Sequence, residues 1–237
     1  GKTDLRKTIN LYKTIYKRIE KAAADEDKIK YIKIQLEEIL AYDNYRVINT
    51  KIDEALELIN TVSEAAEDYK EVYRRCINIK LSYIEEDSDE LYSRIIEKIE
   101  KWDDAEDKKL LIRMYIERAV LLEEDDNLEG AVTMLDNAEK YFGYVNDDDW
   151  LEDVSILCRY RKAQLFNEQE QYDKALLEIE TIKSRYYDRD DLKLKEQLAD
   201  ALILKGSILK KNNKLDEAED TFEEIYSKYS RDKDEDI

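Results

Sequence analysis

Three acidic runs, at 123–126, 147–149 and 188–191, are dense enough to suggest acid–base or cation chemistry. A calcium loop needs oxygen ligands in a fixed order and a central glycine for its turn, and none of the runs has that order. Each falls at an expected helix junction, where carboxylates accept hydrogen bonds from the first free backbone N–H groups and oppose the positive helix end. We read the runs as caps and solvated ends, with Asp149 and Asp188 as the capping residues. Histidine is absent, which removes Ser-His-Asp and Cys-His nucleophiles and the histidine-containing zinc and di-iron sites. Cys76 and Cys158 are the two cysteines, too few for a four-cysteine metal site or a disulfide framework. Both fall on apolar stripes of expected helices, where a free thiol acts as a small hydrophobe. No glycine-rich run precedes a Lys-Ser or Lys-Thr pair, so there is no phosphate loop. Tyr160, Phe166, Tyr172, Tyr186 and Tyr187 could line a ligand cradle, but their helical spacing assigns them to the core. The reading is a non-enzyme without catalytic residues, metal ligands or cofactor.

The elements that carry these residues are helices. The chain has no proline and four glycines in 237 residues, so little interrupts helical runs. Charged residues make up 42% and hydrophobic residues 43%, enough apolar content for a core. Eighteen tyrosines against three phenylalanines suit half-buried helix faces, where the ring packs and the hydroxyl reaches water. A formal charge of −19 disfavours nucleic acid and anionic membrane surfaces as partners. The same charge keeps helical faces soluble and is compatible with a basic protein segment. No apolar stretch approaches the ~20 residues that cross a bilayer. A start at Gly1 rather than methionine fits a chain trimmed at its N-terminus, which leaves room for a leader or lipid anchor upstream.

Internal repetition organises the C-terminal half. Ala119 and Ala131, Ala163 and Ala175, and Gly206 and Ala218 each stand twelve positions apart across a polar turn. Leu128, Tyr172 or Leu215 opens the second helix of each pair. Apolar residues follow four and seven positions after the second small residue: Leu135 and Ala138, Ile179 and Ile182, Phe222 and Ile225. A small side chain on each helix near the turn lets two antiparallel backbones approach closely, and larger residues further along fill the wider gap. The first helices of the second and third pairs are long, about 149–169 and 189–212. Upstream, Ala55 marks a similar second helix whose partner lies within 26–42, across an irregular Tyr42-Asp-Asn-Tyr-Arg stretch. Helices at 68–85 and 88–102 form a degenerate pair. An opening helix with Leu5, Ile9, Tyr12, Tyr16 and Ile19 on one stripe covers the first repeat.

The pattern of small residue, aromatic or leucine, polar turn, Tyr/Leu-Asp-x-Ala and large apolar residue resembles the tetratricopeptide repeat. Leu122, Phe166 and Leu209 stand at the family's aromatic position, and Ala131, Ala175 and Ala218 at its alanine. Gly206 matches its glycine, with Ala119 and Ala163 as small substitutes. The closing proline is missing, and spacings of 44 and 43 residues exceed the family's 34. The divergent long-helix branch is the better match. The resemblance implies an all-α fold of about eleven helices, wound as a right-handed α-solenoid of antiparallel pairs. Residues 1–102 would hold the degenerate repeats, 103–230 three clear repeats, and 231–237 an acidic tail, the whole forming one continuous solenoid.

Carried over residue by residue, the family's groove falls on Arg113, Ile116, Val120, Glu123 and Glu124 in the first clear repeat. The second contributes Leu157, Tyr160, Gln164, Asn167 and Glu168, and the third Asp200, Ile203, Ser207, Lys210 and Lys211. Chaperone-binding members clamp a terminal carboxylate with lysine and asparagine where Ile116 and Val120 stand, which argues against that partner. The resemblance implies a protein-binding scaffold or adaptor that holds a peptide or protein segment. The 215–229 segment is similar to repeats of bacterial cell-envelope assembly proteins, which puts an extracytoplasmic compartment ahead of the cytoplasm. The alternatives are a cytoplasmic peptide-sensing module and a self-assembling structural element.

Overall fold

The structure, a computed structural model, describes residues 24–42, 44–83, 89–189 and 191–229, together with Leu11 and Thr14. The expected opening helix, with Leu5, Ile9, Tyr12, Tyr16 and Ile19, and the 231–237 tail lie outside the described residues. Among the described residues the fold is all-helical, with ten α-helices and no strand. The chain divides into two compact units, 1–87 and 88–237.

The first unit holds α1 (Asp25–Ile39), α2 (Tyr45–Ile59) and α3 (Tyr69–Ser82), with each helix packed on the other two. Ile29, Ile32, Leu36 and Ile39 of α1 recur at three- and four-residue steps and are all buried. Asp25, Glu26 and Asp27 place negative charge at that helix's positive end. The irregular Tyr42-Asp-Asn-Tyr-Arg stretch ends in a cap, because the Asn44 side chain accepts from the Val47 amide at 3.2 Å. Ile48, Ile52, Ala55 and Ile59 bury the inner face of α2. Ion pairs at the rim, Lys33–Asp68 at 2.8 Å and Lys80–Asp53 at 2.8 Å, tie α3 to the pair before it.

The second unit opens with α4 (Asp89–Ile99), whose Tyr92, Ile95 and Ile99 are buried, and α4 packs on α5 (Ala105–Glu124). Three helical hairpins follow from α5 onward. They are α5 with α6 (Leu128–Glu139), α7 (Asp148–Glu168) with α8 (Tyr172–Tyr186), and α9 (Leu192–Lys211) with α10 (Leu215–Tyr229). A single 3-10 turn, Phe142–Tyr144, precedes α7. Ala119, Ala131, Ala163, Ala175, Gly206 and Ala218 are all buried. Gly206 shows why a small residue is needed there. A Cβ on it would stand 2.5 Å from Cζ of Phe222, so the ring lies directly on the α9 backbone.

The hairpin turns share one backbone geometry. Asp126, Glu170 and Asn213 each adopt φ 59°, in the left-handed region. In each turn the next amide reaches back to the first helix, Asn127 to the Leu122 carbonyl at 2.7 Å, Gln171 to Phe166 at 2.8 Å and Lys214 to Leu209 at 2.9 Å. The left-handed residue itself donates to Glu123, Asn167 or Lys210. This is the Schellman closure, which satisfies carbonyls that the helix end leaves unpaired.

Two of the three acidic runs cap helices, though not through the expected residues, while the 123–126 run ends α5 and leaves the next cap to Asn127. Asp147, not Asp149, accepts from the Trp150 amide at 3.3 Å and starts α7. Asp191, not Asp188, accepts from the Leu194 amide at 3.0 Å and starts α9. Asp149 lies inside α7, beyond the capping position.

Candidate protein-binding surface

The expected groove residues lie on the first helices of the hairpins. Arg113, Ile116, Val120 and Glu123 follow one another at three- and four-residue steps along α5, so they form one stripe. Tyr160, Gln164 and Asn167 do the same on α7, and Ile203, Ser207 and Lys210 on α9. None of the ten is buried. Arg113, Ile203, Ser207 and Lys210 are exposed, and the other six are half-buried. Leu157 beside Tyr160 is 42% exposed and Ile203 is 48% exposed, so both leave large apolar surface in water.

Polar contacts join the stripes laterally. Arg161 of α7 donates to Glu123 of α5 at 2.6 Å, and Lys211 of α9 donates to Asn167 of α7 at 3.3 Å. Burial and the nearby Asp200 carboxylate both push the Tyr160 hydroxyl above its usual pKa, so it stays a neutral donor. The surface is therefore a mixed row of apolar, amide and hydroxyl groups with basic residues at Arg113, Lys210 and Lys211. Ile116 and Val120 are half-buried aliphatic side chains.

Of the aromatic group only Tyr186 is buried in the core, and Tyr160, Phe166, Tyr172 and Tyr187 are half-buried side chains packed against the core cluster that contains it. Both cysteines are buried, and burial pushes each thiol up to about 12. Among the described residues no three His, Cys, Asp or Glu side chains are arranged to hold a metal ion. No described helix is long and apolar enough to cross a membrane.

Two features escaped the sequence reading. The first is an ionic cluster across three helices. Lys162 of α7, with a side chain only 4% exposed, meets Asp136 at 3.1 Å, Glu139 at 3.0 Å and Glu178 at 3.0 Å. Arg159 joins it through Glu178 at 2.7 Å. Burial works against the charge on Lys162, but Glu139 and Glu178 outweigh it and the net shift is upward. The second is an open groove of about 690 Å³ on the last hairpin, lined by Lys210, Leu215, Ala218, Glu219, Phe222 and Tyr226. The spacing signal for the cluster was present. Lys162 and Lys205 stand 43 residues apart, as the small residues Ala163 and Gly206 do.

No protein-family model matches the chain, and no curated protein matches it.

Proposed function

We propose that this chain is a non-catalytic protein-interaction scaffold of tetratricopeptide type. Its hairpins continue one another as a right-handed solenoid, and a peptide or protein segment lies along the first-helix face. The observation that carries this reading is the accessible stripe repeated on α5, α7 and α9, three helices whose closing turns have the same backbone geometry. Ile116, Val120, Tyr160 and Ile203 supply apolar anchors, and hot spots at protein interfaces are built from such anchors in a polar rim. Gln164, Asn167 and Ser207 supply hydrogen-bonding groups suited to a partner's backbone, as in groove recognition of extended or helical segments.

Cross-linking in the source cell followed by mass spectrometry identifies the bound segment. The triple variant Arg113→Ala, Tyr160→Ala, Asn167→Ala is then compared with the parent, after circular dichroism has shown that it remains folded. Loss of the cross-linked partner in the variant supports the groove. Unchanged capture would show that the partner sits elsewhere.

A further inference from the structure

The ion pairs between hairpins follow the same register as the small residues. Asp136 on α6 pairs with Lys162 on α7 at 3.1 Å. Glu180 on α8 pairs with Lys205 on α9 at 2.6 Å. Asp136, Glu180 and Glu223 stand five residues beyond Ala131, Ala175 and Ala218, and the lysines one residue before Ala163 and Gly206. Each second helix thus offers a carboxylate that a lysine on the following first helix takes up. The third carboxylate is Glu223 on α10. It is exposed, and no cation pairs with it among the described residues.

The apolar surface around Glu223 repeats the same way. Tyr172, Ala175 and Ile179 of α8 correspond to Leu215, Ala218 and Phe222 of α10. On α8, which α9 covers, Ile179 is fully buried in a cluster with Leu194, Leu198, Ala201 and Leu202 of α9. On α10, Phe222 is 42% exposed, Leu215 58% and Tyr226 76%, and together they line the groove. Asp216, Glu217, Glu219, Asp220 and Glu223 add an exposed acidic rim.

We propose that this outer face of α10 is a docking site for a basic amphipathic α-helix of a partner protein, seated as α9 sits on α8. Its recognition pattern is that of α9: apolar residues at i, i+4, i+7 and i+8, as Leu194, Leu198, Ala201 and Leu202 stand, and a lysine or arginine at i+11, where Lys205 stands. The apolar stripe covers Leu215, Phe222 and Tyr226, and the cation takes Glu223. A second copy of this chain is the poorer occupant, because its α9 stripe is already buried within its own hairpins. Lys210 lines this groove and also belongs to the first-helix stripe, so the test uses Glu223 and Tyr226, which lie on α10 and off that stripe.

The probe is a fluorescein-labelled synthetic peptide with the sequence of α9, Leu192–Lys211 (20 residues), titrated with the full chain by fluorescence anisotropy. Glu223→Lys and Tyr226→Ser are the protein variants, both at exposed positions where folding is not at stake. The expected result is saturable binding to the parent protein, weakened about fivefold by either variant. A Lys205→Glu version of the peptide should bind the parent protein about fivefold more weakly and recover affinity for Glu223→Lys. Absence of binding, or binding indifferent to both variants, overturns the proposal. So does a dimer of the free protein, seen by sedimentation equilibrium, that Glu223→Lys dissolves, since that result assigns the face to a second copy.

Discussion

Gly206 and Phe222 show how one missing methyl group sets a local arrangement. A Cβ on Gly206 would stand 2.5 Å from Cζ of the Phe222 ring, while alanine would otherwise favour the helix by about 1 kcal/mol. Displacing the ring from its seat costs more than that, about 2 kcal/mol. Gly206→Ala should therefore lower stability by about 1 kcal/mol. In a Phe222→Ala background the same change should raise stability by about 1 kcal/mol, a reversal that urea denaturation of the four proteins would reveal. A stabilising Gly206→Ala in the parent would mean that the ring does not need the glycine. Lys162 makes the opposite kind of case. Replacing it with methionine leaves Glu139 and Glu178 with only the Arg159 guanidinium between them, and should cost about 2 kcal/mol. Lys193→Met, which removes a 62% exposed lysine paired with Asp153, should stay within about 0.5 kcal/mol.

At the scale of elements, the hairpin closures carry a prediction of their own. Glu170 holds a left-handed backbone that costs a residue with a Cβ about 1 kcal/mol. Glu170→Gly should therefore raise the midpoint of denaturation by the equivalent of about 1 kcal/mol, and a destabilised variant would show that the turn closes differently. The helices themselves were legible in the sequence. The runs expected at 149–169 and 189–212 appear as Asp148–Glu168 and Leu192–Lys211, because apolar spacing and the absence of proline constrain them tightly. The caps were less legible, since 147–149 and 188–191 each offer several carboxylates and only the start of the first turn selects Asp147 and Asp191. The left-handed residues were not legible, because Asp, Glu and Asn occupy the place that glycine usually announces. The carboxylate partners of Lys162 were hidden for a different reason. With 42% of residues charged, partners cannot be chosen from composition, and geometry does the selecting.

For the molecule as a whole, the buried titratable groups set an alkaline limit. Burial pushes Cys76 and Cys158 up to about 12, and raises Tyr69 and Tyr115 as well. An unfolded thiol ionises near ~8.5, so above that pH the unfolded chain releases protons that the folded chain keeps. The stability these groups contribute is complete below the unfolded pKa and is lost as pH rises toward the folded one. Guanidinium titrations at pH 7.5 and about pH 10 should differ by on the order of 2 kcal/mol per thiol, with the more alkaline sample weaker. Equal stability at the two values would contradict the burial of both cysteines.

The proposed binding surface was legible only as positions. The sequence located Tyr160 and Ile203 on helix faces, but lateral contacts such as Arg161–Glu123 and Lys211–Asn167 depend on how the hairpins pack. The most direct measurement of the proposed function is site-specific photo-cross-linking in the source cell. A photoreactive phenylalanine is placed in turn at Tyr160, at Ile203 and at Leu177, the last being 67% exposed on the second helix α8. The account predicts one and the same cross-linked protein from positions 160 and 203, and none from 177. Equal cross-linking from position 177, or none from 160 and 203, would contradict it.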